Sequence, residues 1–210
     1  MKKVLFILVI TAFYLTACGN EKKETASGNT HTEGMHHEDE DHDHDHAAHN
    51  HGQSEAGEAR KIEATSTKNT ATSGIIDAYL QVKNGLAADN KTAAGMGAKQ
   101  LLAAFAEFDM SQLSGETHKE YMEIMEDAKE QAEHIAKSPI DHQREHFEVL
   151  STDVNDLISL LGTDKKLYQD FCPMVNDGKG AIWISETEEI KNPFMGKKMP
   201  TCGKIVKQIN

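Results

Sequence analysis

The chain has 210 residues, with 22 basic and 34 acidic side chains and a formal net charge of −12. This acidic balance argues against a nucleic-acid partner, because phosphate backbones are bound through Lys and Arg. Apolar residues make up 38% of the chain and aromatic residues 6%, so part of it lacks the side chains that a packed core needs. The 3 cysteines are too few for a disulfide scaffold, whereas the 12 histidines are unusual.

The N-terminal residues have the organisation of an export signal. Two lysines precede an apolar stretch, residues 4–15, that is too short to cross a bilayer as a helix. The sequence Leu-Thr-Ala-Cys that ends at Cys18 resembles the lipobox of bacterial lipoproteins. This resemblance implies that residues 1–17 form a signal peptide and that lipidation of Cys18 anchors the chain in a membrane of the cell envelope. Gly19, rather than Asp, then follows the lipidated residue, which favours the outer membrane facing the periplasm.

Residues 18–73 are predicted to form a disordered, histidine-rich tether, because they hold almost no apolar side chains beyond alanine. Within them, residues 31–51 carry eight histidines and seven acids. Neutral imidazole is a ligand for Zn, Ni, Cu and Co, and neighbouring carboxylates concentrate cations. The alternating run at His42, His44 and His46 is therefore a candidate zinc or nickel buffer. A merely solvated polar spacer is the alternative.

Residues 74–210 have the composition of a folded domain, and their apolar residues recur at helical spacing. Short connections between long amphipathic helices favour a mainly α fold, an antiparallel bundle. We predict four helices: one ending near Ala88, one from a cap at Asp89 to about Phe108 with Met96 facing inward, one from Gly115 to Lys137, and one capped by Ser138, with Pro139 as its first residue, that ends at Leu161.

The last forty residues differ in composition from the predicted bundle. They hold three of the 4 prolines, several glycines and two short β-type runs, residues 181–185 and 204–209. We expect loops with a small hairpin that packs on the bundle, and we expect Trp183 to lie in the core.

Cysteine and methionine concentrate in the same C-terminal segment. Cys172 and Met174 form one pair, and Met199 and Cys202 form another. Thiolate and thioether are soft donors that prefer Cu(I) or Ag(I) to Zn(II), Mg(II) or Ca(II), so the four side chains are a candidate soft-metal site. The alternative is a Cys172–Cys202 disulfide, worth about 3 kcal/mol in the chain-entropy model. Sulfur chemistry alone leaves both possibilities open.

The four sulfur residues belong to an ordered set that runs from the predicted fourth helix to the C-terminal segment. The set consists of Gln143-Arg144, Phe147, Leu150-Ser151, Cys172-Pro173-Met174, Trp183-Ile184-Ser185, Asn192-Pro193-Phe194, Gly196, Met199 and Cys202-Gly203. It resembles one bacterial domain family, domain of unknown function 3347, over about residues 74–210. The resemblance implies metal handling, since members occur as lipoproteins and fused to periplasmic adaptor subunits of copper/silver-type heavy-metal efflux pumps. Transferred to this chain, it points again to the four sulfur residues.

Four histidines lie outside the tail, and two of them, His142 and His146, are i,i+4 neighbours that could share a metal. The pattern His-x-x-Glu-His also occurs in inverted zinc peptidases, but too little chain follows it for such a domain. Surface histidines on a charged helix are the simpler interpretation, and one imidazole completing the cysteine/methionine site is a third. No motif indicates catalysis, so we predict that the protein is not an enzyme.

Together these patterns lead to three hypotheses. The first is a lipid-anchored periplasmic protein that buffers or delivers copper or silver, with a heavy-metal efflux adaptor as a partner. The second is a non-catalytic docking lipoprotein with a Cys172–Cys202 disulfide. The third is zinc or nickel buffering by the tail alone.

Overall fold

The computed structural model describes residues 60–62 and 64–210. Four helices come first and a three-stranded antiparallel sheet follows, so the predicted helical bundle with a β-containing C-terminal segment is confirmed. No helix within the described residues has the length and apolar character that crossing a membrane requires. The elements are α1 (Ser73–Ala87), α2 (Lys91–Glu107), α3 (Gly115–Lys137), α4 (Ile140–Leu161), β1 (Leu167–Cys172), β2 (Ala181–Ser185) and β3 (Lys204–Ile209).

The helix boundaries agree with the predictions, but two predicted caps do not. Asn90, not Asp89, caps α2, because its side chain accepts a hydrogen bond from the Ala93 N–H at 3.0 Å. Asp89 instead adopts a positive φ of 55° in the turn before α2. Pro139 occupies the cap position of α4, so the prediction that Ser138 caps this helix was wrong. The connection between α3 and α4 is therefore only two residues long.

Each helix buries one face, and α2 buries a face of small residues. Gly97 of α2 lies so close to the α1 backbone that a Cβ there would sit 2.6 Å from the Val82 nitrogen. Since the close approach uses the glycine side of α2, Met96 points away from it and is 57% exposed. The expectation that Met96 faces inward was wrong. Residues of the helices and the sheet form one hydrophobic core, and Trp183 lies in it as predicted. Its largest fully buried side chains are Trp183, Tyr79, Tyr121 and Phe147.

In the sheet, β1 lies between β2 and β3 and pairs antiparallel with both. The two predicted β runs are strands, but they do not form a hairpin with each other. Strand β1, which the sequence analysis does not predict, lies between them in the sheet. Its register with β2 aligns Asp170 with Trp183, and its register with β3 aligns Phe171 with Lys204. The sheet packs on the bundle chiefly through β2 against α4 and α1.

Residues 60–62 and 64–72 precede α1 and are called here the N-terminal strap. They lie against the bundle, although we had predicted a tether as far as residue 73. The Thr65 N–H, the Asn69 amide and the Thr72 hydroxyl donate hydrogen bonds of 2.9–3.0 Å to carbonyl oxygens at the C-terminal end of α4. Thr72 is fully buried. Ordered contacts therefore begin ahead of the predicted domain boundary.

Arg60 fixes the outer end of the strap to the seam between α3 and α4. Its guanidinium pairs with Asp127 of α3 and donates to Asp153 of α4 at 2.8 Å, and Asp156 lies 3.5 Å away. The Asp153 side chain is only 3% exposed. Burial raises the pKa of Asp153 to about 6, although Arg60 opposes the shift. The positive charge of Arg60 thus offsets the repulsion between the acidic side chains that α3 and α4 bring together.

Candidate metal-binding sites

The two cysteines of the folded domain lie side by side at one end of the sheet. Cys172 is the last residue of β1, and Cys202 lies two residues before β3. Because β1 and β3 pair antiparallel, these two ends meet, and the Sγ atoms are 2.8 Å apart across a sequence separation of 30 residues. Both are free thiols, Cys172 fully buried and Cys202 partly exposed. Hydrogen bonding with Cys172 raises the pKa of the Cys202 thiol.

Asn192 holds the backbone around Cys202 in place. Its side-chain nitrogen donates to the Cys202 carbonyl at 2.7 Å, and its side-chain oxygen accepts from the backbone N–H groups of Phe194 and Met195 at 2.8 and 2.9 Å. Asn192 is fully buried, so these bonds replace its contacts with water. Next to Cys202, a Cβ on Gly203 would lie 2.8 Å from the Trp183 ring. The position of one thiol therefore depends on this loop and on the core.

Arg144 of α4 joins the same loop to the bundle. Its guanidinium donates to the Pro193 carbonyl at 2.9 Å, to the Leu86 carbonyl at 3.1 Å and to the Asp89 carboxylate. A backbone hydrogen bond from Lys197 and the pairing with Arg144 lower the pKa of Asp89. The residues that carried the family resemblance here thus have a structural role, which is to hold the loop that ends at Cys202.

The two predicted thioether ligands lie on the surface. Met174 is 56% exposed and Met199 is 39% exposed. Met199 belongs to the turn that positions the second thiol, since its carbonyl accepts from the Cys202 N–H at 3.2 Å. Of the four predicted sulfur ligands, the structure brings the two thiols together and leaves both methionines largely in solvent.

A second cluster of ligand atoms lies on the helical side of the molecule. His142 and His146 are on one face of α4, and their Nε2 atoms are 3.1 Å apart. The ring of His134, in the last turn of α3, stacks on His146 with centroids 4.3 Å apart and an interplanar angle of 14°. One ligand nitrogen from each of the three rings lies within 4.8 Å of the others. The structure thus unites the two predicted histidines and adds His134, which the sequence analysis did not assign to this site.

Each histidine of α4 is also oriented by a neighbour. Glu145 accepts from His142 Nδ1 at 2.5 Å, and the Gln131 side-chain oxygen accepts from His146 Nδ1 at 2.7 Å. His142 is exposed, and its side chain retains 48% of its accessible surface. The cluster therefore lies at the surface, with the rings of His142 and His146 already oriented by hydrogen bonds.

The centre of the sheet holds a buried acid. Asp170 of β1 is fully buried, and among the described residues neither of its carboxylate oxygens has a hydrogen-bond partner of good geometry. Burial raises the pKa of Asp170 to about 7, while Lys83 and Trp183 act in the opposite direction. Lys83 is itself fully buried and pairs with Glu186 at 2.9 Å. Asp170 is therefore a buried carboxyl group that is costly to ionise, and the sequence analysis did not identify it.

Several predicted features fall outside the described residues. These are the signal peptide of residues 1–17, the lipidation site Cys18 and the tail histidines His42, His44 and His46.

Comparison with known protein families gives a match to the helical part of the described domain. Residues 75–166, from α1 to the residue before β1, match the family described as "Protein of unknown function (DUF3347)". The match stops short of the sheet, so the thiol pair lies beyond the matched residues, while the histidine cluster lies within them. Comparisons with curated proteins and with solved structures gave no match. The predicted resemblance to this family is confirmed over residues 75–166.

Proposed function

We propose that the protein is a non-catalytic metal-binding protein whose folded domain takes up one Cu(I) or Ag(I) ion between Cys172 and Cys202. One observation carries the proposal: two unbonded thiols, 30 residues apart in sequence, have sulfur atoms 2.8 Å apart. Thiolates are the protein ligands that most strongly favour these soft ions.

The surroundings of the thiols suit an ion that is taken up and released. A metal ion held between two thiolates keeps their sulfur atoms further apart than the observed 2.8 Å, so the pair has to open on binding. Cys202 lies in a loop and not within a strand, and can supply that movement. Met199 is in the same turn and its exposed thioether could add a third soft donor.

The proposed cellular role rests on the sequence. A lipobox ending at Cys18 would attach the protein to the outer membrane facing the periplasm, and the histidine-rich tail would collect zinc, nickel or copper ions at lower affinity. A heavy-metal efflux adaptor is the proposed recipient of copper or silver. Replacement of Cys18 by Ser tests the anchor, since the variant should no longer fractionate with membranes. Unchanged fractionation would rule out the lipoprotein assignment.

The decisive experiment is an anaerobic Cu(I) titration of the full chain, with the eight histidines of residues 31–51 replaced by asparagine so that the tail does not compete. We expect one tightly bound ion and a raised melting temperature, because a ligand of the native state stabilises it. Cys172→Ser should abolish tight binding, whereas Met174→Leu and Met199→Leu should weaken it, since they remove a thioether at nearly constant volume. His118→Gln, on the exposed part of α3, is the matched control.

The same 2.8 Å separation supports a second candidate, a docking lipoprotein in which Cys172 and Cys202 form a disulfide. In that case the oxidised domain is the stable form, reduction costs about 3 kcal/mol, and the methionine variants are silent. A reduced parent chain that binds no Cu(I) would favour this candidate, whereas leucine variants that bind it like the parent would show that the two thiols suffice.

A further inference from the structure

We infer that His134, His142 and His146 form a second metal site, specific for a borderline divalent ion such as Zn(II), Cu(II), Ni(II) or Co(II), in the folded domain. The inference goes beyond the proposed function, which concerns a monovalent soft ion at the thiols. It also differs from buffering by the tail, because the ligands here belong to two ordered helices.

The short connection between α3 and α4 brings the three rings together. His134 lies one turn before the end of α3, and His142 lies in the first turn of α4, with Ser138 and Pro139 between the helices. Two antiparallel helices joined so tightly place residues at similar distances from the turn against each other. His146 follows His142 by one turn on the same face. The cluster is thus built into the helix pair and does not depend on a loop conformation.

The hydrogen bonds of His142 and His146 determine which nitrogen carries the proton. A carboxylate can only accept, so His142 Nδ1 donates to Glu145; likewise His146 Nδ1 donates to the Gln131 side-chain oxygen. In the neutral rings, both Nε2 atoms then carry lone pairs, and these two atoms face each other at 3.1 Å. Two lone pairs cannot bond to one another. They converge on a shared cation, which is either a proton or a metal ion.

The spacing fits a metal ion. Zn–N bonds of about 2.0–2.1 Å at a tetrahedral angle place two ligand nitrogens about 3.3 Å apart. The observed 3.1 Å between the Nε2 atoms of His142 and His146 needs only a small adjustment. A ligand nitrogen of His134 lies within 4.8 Å of both. Because its ring stacks on that of His146 at 14°, the His134 ring has to rotate before its lone pair can complete a three-imidazole set. Imidazole suits these borderline ions, whereas Mg(II) and Ca(II) prefer oxygen ligands.

The partners of the rings match the outer shell of a metal site. A metal-bound histidine usually donates its other N–H to a carboxylate or carbonyl, which fixes the ring and strengthens the ligand. Glu145 and the Gln131 side chain occupy these positions. Three protein ligands leave one position of a tetrahedral ion open, and His142 faces solvent. Such a site can exchange its ion with the surroundings.

The test is a Zn(II) titration of the full chain in which the eight histidines of residues 31–51 are replaced by asparagine. We expect one Zn(II) per chain, a raised melting temperature and no response to Mg(II). His134→Gln and His146→Gln should each weaken Zn(II) binding about tenfold or more, and Glu145→Gln about tenfold. His118→Gln is the matched control, because it removes an exposed histidine from α3 and should leave binding unchanged. The melting temperatures of the metal-free variants show that they fold.

The thiols provide the remaining control. Cys172→Ser should leave Zn(II) binding at this site intact, and His146→Gln should leave Cu(I) binding intact, so the failure of one proposal does not imply failure of the other. The inference is overturned if the chain binds no Zn(II), in which case the facing nitrogens share only a proton. It is also overturned if His134→Gln and His146→Gln bind Zn(II) like the parent, or if Cys172→Ser alone abolishes binding.

Discussion

The histidine cluster and the thiol pair bring side chains together in different ways. The three imidazoles come from residues 134–146, so one helical turn and one short connection suffice to assemble them. The thiols are 30 residues apart and meet only because β1 pairs with β3 and because Asn192 holds the preceding loop. The histidine cluster should therefore tolerate changes in the sheet, whereas the thiol pair requires the sheet to be intact. Variants that disturb one region and spare the other can test this.

The largest effect is expected from Asn192→Ala, which removes three hydrogen bonds around the second thiol. The loss should lower the free energy of unfolding by about 2–4 kcal/mol and speed the reaction of Cys202 with a maleimide. Zn(II) binding by the histidine cluster should persist below the melting temperature. Denaturant unfolding and timed thiol labelling measure both effects. Asn155→Ala, which removes one long hydrogen bond of 3.4 Å, is the control. If Cys202 reacted at the same rate in both variants, its position would not depend on the hydrogen bonds of Asn192.

The next effect concerns the sheet and its buried acid. Asp170 has a pKa of about 7 in the folded chain against 3.8 for the ordinary group, so the folded state binds its proton more tightly. Protonated Asp170 therefore favours the folded state over the unfolded chain, in which the group ionises at lower pH. This contribution to the free energy of unfolding is fully present below pH 3.8 and is lost as the pH rises through 7. Asp170→Asn should remove this loss, and the variant should be more stable than the parent by about 1–3 kcal/mol at pH 8.

Unfolding curves at pH 5 and pH 8 check this prediction, with Asp177→Asn, an exposed residue, as the control. The advantage of the Asp170 variant should shrink at the lower pH. An advantage that is constant with pH would mean that Asp170 is ionised throughout.

A smaller effect is expected on the helical side from Arg60→Ala. Asp127, Asp153 and Asp156 then face one another across the α3–α4 seam without their cation. Because Arg60 is 29% exposed, water screens part of the loss, and we expect a destabilisation of about 1–2 kcal/mol. Lys61→Ala, which removes an exposed cation from the same strap, should have almost no effect. Similar melting temperatures for the two variants would show that the ion pairs contribute nothing measurable.

The smallest effect on the fold is expected from Met199→Leu. Its side chain is already 39% exposed, so the unfolding free energy should change by less than about 0.5 kcal/mol. Cu(I) affinity should nevertheless fall, while Zn(II) affinity at the histidines stays constant. Paired titrations with the two ions measure the difference. A fall in both affinities would indicate a general disturbance of the domain.

The difference between local and long-range contacts also explains which parts of the fold could be predicted from the sequence. Helical periodicity identified all four helices, since each buries an apolar face against its neighbours. It did not identify β1, because a buried Asp170 interrupts the apolar pattern of Leu167–Cys172 and the strand is defined by its partners. The closeness of Cys172 and Cys202 depends on the same pairing, so the sequence could raise the possibility of a shared site without establishing it.

The missed residues had weaker signals. His134 and His142 lie at equal distances from Ser138, so the two-residue connection between the helices could have placed them together. Arg60 offered no such signal, because it lies in a polar segment with the composition of a tether and is held by ion pairs and not by apolar contacts. The spacing of apolar residues along the chain does not reveal ion pairs between residues that are far apart in sequence.

The strap also determines how the domain responds to mechanical force. Within the described residues, tension from the N-terminal side reaches Arg60 before the first helix, α1, and its ion pairs connect the strap to two helices. The hydrogen bonds of Thr65, Asn69 and Thr72 follow one after another along the strap before the load arrives at α1. We therefore expect Arg60 to detach and the strap to be released under load before the core of the bundle opens.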